Sequence, residues 1–186
     1  SKTKRQLDFK SRLLVINALI FSHLNYWPTI WGKCKKTLLS DIQRSINFTA
    51  KVAHDGNFRK SDHVTPILKK LGWLNIHERL ELSEAIKVFK IQNKLSCSNG
   101  VALSTRKAAH QRSTRNDNNI DTEFRRTEAG AKAFTISGPK CFNNLPADIQ
   151  NCATVASFKQ KCTALLLARR RELTEWNNIW WVTWNW

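Results

Sequence analysis

The chain has 186 residues, 41% of them hydrophobic, and it contains no run of about 18 uncharged apolar residues, which argues against a membrane-spanning helix. Lysine and arginine number 31 against 14 acidic residues, and the net charge of +17 is spread along the sequence. Because a field of one sign over a whole chain favours a polyanionic partner, nucleic acid is the first candidate ligand and an anionic membrane surface the second.

Two amphipathic helices are predicted in the first third of the chain. The first covers residues 8–23 and ends before Pro28, because a proline disfavours helix in the residue that precedes it. The second covers residues 37–54 and carries its cations away from its apolar face. The apolar stripes are Leu13, Ile16, Ile20 and Leu24 in the first helix, and Leu39, Ile42, Ile46 and Ala50 in the second.

The third and fourth helices have clear start signals. Thr65 as N-cap, followed by proline at the first helical position and by Gly72 as a stop, predicts a short helix. Asn75 then predicts the cap of a longer helix that ends near Leu95, because Glu78 lies three residues on, as in a capping box.

Beyond residue 95 the helical pattern fails and returns only near the end of the chain. Residues 96–130 are polar and basic and predict a long flexible linker. A short strand at 131–136, a turn at Gly138-Pro139 and a final amphipathic helix at 154–171 follow. The predicted organisation is a helical bundle at 1–95, the basic linker at 96–130, a turn-helix subdomain at 131–171 and a Trp-rich tail at 172–186. The predicted fold class is mainly α, a small bundle of about five helices with a long basic loop and a short C-terminal helical subdomain.

The cysteines give little sign of a disulfide scaffold or a zinc site. They are odd in number and never spaced as C-x-x-C, which fits an intracellular, reducing compartment. The five are Cys34, Cys97, Cys141, Cys152 and Cys162.

Four sequence blocks carry a family resemblance. They are residues 17–26 with Trp31-Gly32; residues 39–51 with Gln43-Arg44; residues 63–74 with Arg79, Phe89-Lys90 and 93–95; and Ala133-Phe134 with 137–140, 143–149 and 157–159. In this order they resemble the region that follows the palm in jockey-like and related LINE reverse transcriptases, the polymerases of non-LTR retrotransposons. The chain departs from the family pattern at Asn75, where the family has proline, and at Cys141-Phe142, where it has Leu-Trp. The Trp-rich tail has no counterpart there.

The resemblance implies a non-catalytic C-terminal fragment of an RNA-directed DNA polymerase encoded by a transposable element. Polymerisation needs carboxylates that converge on divalent cations, and this sequence has no adjacent Asp pair. We therefore predict that this chain has no catalytic residue and no cofactor, and that it is inactive by itself. The divalent metal, which we expect to be Mg²⁺, belongs to the palm of the parent polymerase. The start at Ser1 and the lack of methionine agree with a fragment. Residues 1–95 would form a thumb-like bundle. The resemblance also implies that the protein acts in the nucleus and cytoplasm of a eukaryotic host.

The implied partners are the polymerase palm and nucleic acid: template RNA, the RNA/DNA duplex or target DNA. Candidate phosphate contacts are Lys33, Lys35, Lys36, Arg44, Lys51, Lys69, Lys70, Arg112 and Arg115. Aromatic faces can also stack on unpaired bases, but Trp27, Trp31 and Trp73 lie close to apolar helix ends, where packing in the core is the commoner role. Phe142 and Phe158 are predicted core residues. Two alternatives stay open: a stand-alone basic RNA/DNA-binding protein derived from a retroelement, and membrane-surface association through the Trp-rich tail.

Overall fold

The computed structural model describes residues 6–54, 62–96, 103–109 and 119–183, and within them all side chains except those of residues 107, 109 and 171–183. In these ranges the chain is mainly helical, which confirms the mainly α part of the predicted fold class, and its only β pairing is an isolated antiparallel bridge between Thr105 and Ile120. The elements are α1 Phe9–Ile16, a π-helical turn Asn17–Phe21, α2 Ser22–Asn25, α3 Pro28–Trp31, α4 Lys36–Ala53, α5 Thr65–Leu71, α6 Ile76–Gln92, α7 Arg106–Ala109, α8 Glu128–Lys132, α9 Phe134–Asn143, α10 Ala147–Gln150 and α11 Val155–Thr183.

The chain divides into two compact units, Ser1–Arg79 and Leu80–Trp186, and the division falls inside α6. In the first unit α4 packs against α1 and α5. Ile16, Phe21 and Ala53 are buried together, and Leu13, Leu24, Leu71 and Trp73 pack around them. This core therefore lies between the first predicted helix and the C-terminal end of α4.

The π-helical turn changes which residues of the first helix are buried. The backbone N–H of Ser22 donates to the carbonyl of Asn17, five residues back, so one extra residue is accommodated in this turn. Four residues after Ile16, the straight helical period predicts Ile20 in the core, but Ile20 is only half-buried and Phe21 takes the buried position. The prediction that Ile20 lies in the core was therefore wrong by one residue.

The predicted helix boundaries near residue 75 hold in detail. The Glu78 side chain accepts a hydrogen bond from the Asn75 backbone N–H at 2.9 Å, and the Glu78 N–H donates to Asn75 Oδ1 at 2.9 Å, which confirms the capping box. Gly72 ends α5 with a φ of 64°, a conformation that favours glycine. Thr65, predicted as the cap of α5, is its first helical residue instead, after Val64.

The second unit is built around stacked phenylalanines. Phe158 of α11 lies between Phe89 of α6, with ring centroids 4.3 Å apart, and Phe142 of α9 at 6.0 Å. The core roles predicted for Phe142 and Phe158 are confirmed, because both are buried. Ile120, within the predicted linker, is also buried, and its backbone N–H donates to Asn143 Oδ1 at 3.0 Å.

The strand predicted at 131–136 and the turn at Gly138-Pro139 were wrong. Residues 128–132 and 134–143 form α8 and α9, with Pro139 inside α9. Proline interrupts the helical hydrogen bonding at a cost of about 3 kcal/mol. Burial of Pro139 itself, with Ile136 and Phe142 on the same helix, offsets that cost, so tertiary packing overrides the local turn signal.

Candidate nucleic-acid interface

The predicted phosphate-binding cations occupy different environments. Lys35 and Lys36 are exposed at the start of α4, and Lys33 is half-buried just before them. Lys51 is half-buried in the last turn of the same helix. Lys36 and Lys51 are fifteen residues apart, which is about 22 Å along a helix, so α4 presents cations at two separate ends.

The remaining predicted cations are less uniform. Arg44 is exposed but forms an ion pair with Asp41 at 2.8 Å, an i,i+3 contact that partly satisfies its charge. Lys69 and Lys70 are exposed in the last turn of α5, where cations also complement the helix dipole. Arg112 and Arg115 lie outside the described residues. Among the candidates that the structure describes, Lys33, Lys35 and Lys36 are therefore the ones that lie next to one another just before and at the N-terminus of a helix.

An exposed aromatic pair precedes these three lysines. Tyr26 is 72% exposed and Trp27 is 54% exposed, and their ring centroids are 6.5 Å apart with an interplanar angle of 49°. The core role favoured for Trp27 was wrong, and Tyr26 was not among the candidates. Trp73 does pack in the core, with its ring edge-on to Phe21 at 4.7 Å. Trp31 is half-buried.

The backbone around this pair is tightly held. Trp27 has φ 47° and ψ 48°, a left-handed conformation that is uncommon for a bulky residue. The indole Nε1 of Trp31 donates to the carbonyl of Tyr26 at 2.8 Å, and the Ile30 N–H donates to the carbonyl of Trp27 at 3.0 Å. We call residues 26–36, from the aromatic pair to the start of α4, the aromatic-basic segment.

The electrostatics of the aromatic-basic segment are positive. Between residues 9 and 40 the sequence contains no acidic residue, although it contains five lysines and arginines. Lys35 is the N-cap of α4 with an extended backbone, and a lysine side chain has no acceptor for the free N–H groups that follow. The helix N-terminus therefore adds its own partial positive charge to that of the lysines.

Two other arginines of the first unit, Arg12 and Arg79, stabilise the fold through contacts within that unit. Arg12 is only 4% exposed, and its Nη1 donates to the carbonyl of Val52 at 3.2 Å, in the last turn of α4, where a cation complements the helix dipole. Arg79 lies over the ring of Phe21, with Cζ 4.1 Å from the centroid. Burial lowers the pKa of Arg79 to about 10, so its guanidinium stays protonated at neutral pH.

The second unit contains a buried carboxylate that the sequence did not indicate. Glu84 of α6 accepts hydrogen bonds from Ser137 Oγ at 3.1 Å and Cys141 Sγ at 3.4 Å, both on α9. Their spacing of four residues places both donors on one face of α9. Among the described residues no group of three or more His, Cys, Asp or Glu side chains is arranged to hold a metal ion.

The chain gives no significant match to any protein family model, curated protein or solved structure. No helix in the described part of the chain is both long enough and apolar enough to cross a membrane. The geometry of the aromatic-basic segment and the sequence blocks are therefore what bears on function.

Proposed function

We propose that this chain is the C-terminal, post-palm part of a reverse transcriptase from a jockey-like non-LTR retrotransposon, that it binds nucleic acid and that it is inactive alone. The observation that carries the proposal is the aromatic-basic segment, where Tyr26 and Trp27 are exposed next to Lys33, Lys35 and Lys36 in a stretch free of acidic residues. Cations neutralise phosphates and release counterions, and exposed rings stack on bases. The four ordered sequence blocks support the family assignment.

The polymerase chemistry is assigned to the parent palm and not to this chain. The carboxylates support that division: Glu78 caps α6, Asp41 pairs with Arg44 and Glu84 is buried beneath α9. The ligands are template RNA, the RNA/DNA duplex or target DNA, and the site of action is the nucleus and cytoplasm of a eukaryotic host. A palm with an Asp-Asp motif encoded directly upstream would support the family assignment; an upstream reading frame without one would contradict it.

Binding is tested by fluorescence anisotropy with labelled RNA, DNA and RNA/DNA hybrid, titrated with the full chain between about 50 and 200 mM salt. We expect affinity to fall steeply with salt, and we expect the double variant Lys35→Ala, Lys36→Ala to lower the slope of log K against log salt by up to about 2. The matched control is Lys140→Ala with Lys159→Ala, which removes two exposed lysines from the second unit.

Two results would contradict the proposal. One is affinity that does not change with salt, because phosphate contacts must release counterions. The other is an equal loss in the control variant and in the Lys35, Lys36 variant, because the binding would then follow net charge and not the aromatic-basic segment.

A further inference from the structure

We propose that the Tyr26–Trp27 pair binds unpaired bases, so that the aromatic-basic segment prefers single-stranded nucleic acid to duplex. This inference rests on the proposed function and names its substrate class. The occupant is a flexible strand whose bases stack on the two rings while its phosphates lie against Lys33, Lys35 and Lys36.

The first argument is the exposure of two large rings on a folded surface. At 6.5 Å and 49° the rings do not stack on each other, so the surface each exposes is left for a ligand. Tyrosine and tryptophan each bury about 150–250 Å² when they are packed, and this pair forgoes much of that burial. A base covers such a face without requiring a matching shape, because every base has a flat π surface.

The second argument is that the pair is fixed in place before any ligand arrives. The left-handed backbone of Trp27 is strained for a residue with a Cβ atom, and such strain persists only where the surrounding structure enforces it. The enforcing contacts are the hydrogen bond from the Trp31 indole to the Tyr26 carbonyl and the turn of α3 that begins at Pro28. A rigid platform loses little conformational freedom on binding.

The third argument is charge. The acid-free stretch of residues 9–40 disfavours a basic ligand and favours one with a repeated negative charge. Lys33 follows Trp27 by only six residues, which span at most about 22 Å when fully extended, so a strand that stacks on the pair can also reach the lysines. Aromatic faces beside cations are the combination that single-strand-binding surfaces use.

Duplex is the poorer ligand for a physical reason. Its bases are stacked on each other and offer only their edges in the grooves, so a ring gains a base face only after a base is taken out of the stack. Extrusion costs stacking and pairing free energy, and an unpaired strand does not incur that cost. Charge alone gives no such preference, since it acts on the phosphates of both.

The test uses three labelled ligands of equal length: a single strand, a duplex and an abasic strand that keeps the phosphates and lacks the bases. For the full chain we expect the single strand to bind tightest and the abasic strand at least tenfold more weakly, as about 1 kcal/mol or more per stacked base implies. The double variant Tyr26→Ala, Trp27→Ala should lose about tenfold or more on the single strand and change little on the abasic strand.

Two further variants keep the test sharp. Tyr26→Phe with Trp27→Phe retains both rings and should retain most of the single-strand affinity. Phe124→Ala removes a ring that is 87% exposed in the second unit and should leave all three affinities unchanged. Far-ultraviolet circular dichroism of each variant establishes that its helices are intact.

Several results would overturn the inference. Equal affinity for the normal and abasic strands would mean that only charge acts, which leaves the proposed function standing and removes the base-stacking role. Salt-independent binding of all three ligands would contradict the proposed function itself. If the alanine pair keeps its single-strand affinity but loses binding to anionic phosphatidylserine vesicles, or turns a dimer into a monomer in sedimentation, the rings serve a membrane or a second copy of the chain instead.

Discussion

Replacing Lys35 by aspartate should stabilise the fold and weaken nucleic-acid binding at the same time. Lys35 is the N-cap of α4, with φ −60° and ψ 148°, a backbone geometry in which a short acceptor side chain reaches the free N–H groups of the first turn. An aspartate cap is worth about 1 kcal/mol over a residue that cannot cap. Exchanging a cation for an anion at the positive end of the helix dipole adds roughly 0.3–1 kcal/mol. We therefore expect a gain of about 1–2 kcal/mol in the free energy of unfolding.

The assay is urea unfolding followed by circular dichroism, paired with anisotropy on a single strand. The charge-matched control is Lys140→Asp, in the last turn of α9, where loss of a cation disfavours the helix and should lower stability slightly. An unchanged or lower stability for Lys35→Asp would refute the helix-end argument. Stronger binding by this variant would refute the claim that Lys35 contacts phosphate.

Three further predictions concern the second unit. Gly138→Ala should lower the free energy of unfolding, measured in urea, by about 1–3 kcal/mol, although alanine favours helix. The reason is that the added Cβ would lie 2.7 Å from the Phe134 ring and 3.0 Å from Val88. A stabilised variant would contradict this prediction. Phe158→Ala should cost about 3–5 kcal/mol by the same measurement, and a loss below about 1 kcal/mol would show that the stack is not the core. Burial raises the pKa of the Cys162 thiol from 9.0 to about 12, so the unfolded chain ionises first and stability should fall as pH rises above 9. Cys162→Ala should flatten that decline, and an equally steep decline in this variant would assign it to other groups.

Much of the helical framework could be predicted because the chain signals it locally. The capping box at Asn75 and Glu78 and the stop at Gly72 depend on neighbours within three residues, so a sequence pattern suffices to find them. Gly138-Pro139 shows the limit of such signals. The pair favours a turn in isolation, but the missing Cβ of Gly138 allows Val88 and Phe134 to approach closely. Val88 is fifty residues away in the sequence, so a local pattern does not indicate this contact.

The candidate site was only partly predictable. Lys35, Lys36, Lys69 and Lys70 were among the predicted phosphate contacts, and the structure leaves all four exposed. The exposure of Trp27 has no local signature, because an aromatic residue beside an apolar helix end usually packs against it. Trp27 instead has a left-handed backbone, next to the Trp31 indole hydrogen bond and the α3 turn, and no local sequence pattern indicates that conformation.

The π-helical turn has a consequence for the direction in which the aromatic pair faces. One extra residue in a helix of 3.6 residues per turn rotates everything after it by about 100° about the helix axis. The direction of Tyr26 and Trp27 relative to α1 therefore depends on a residue inserted several positions upstream, as well as on the backbone conformation of the pair itself. Deleting Ala18 would keep both rings and every lysine, and would point the rings toward a different side of the helix.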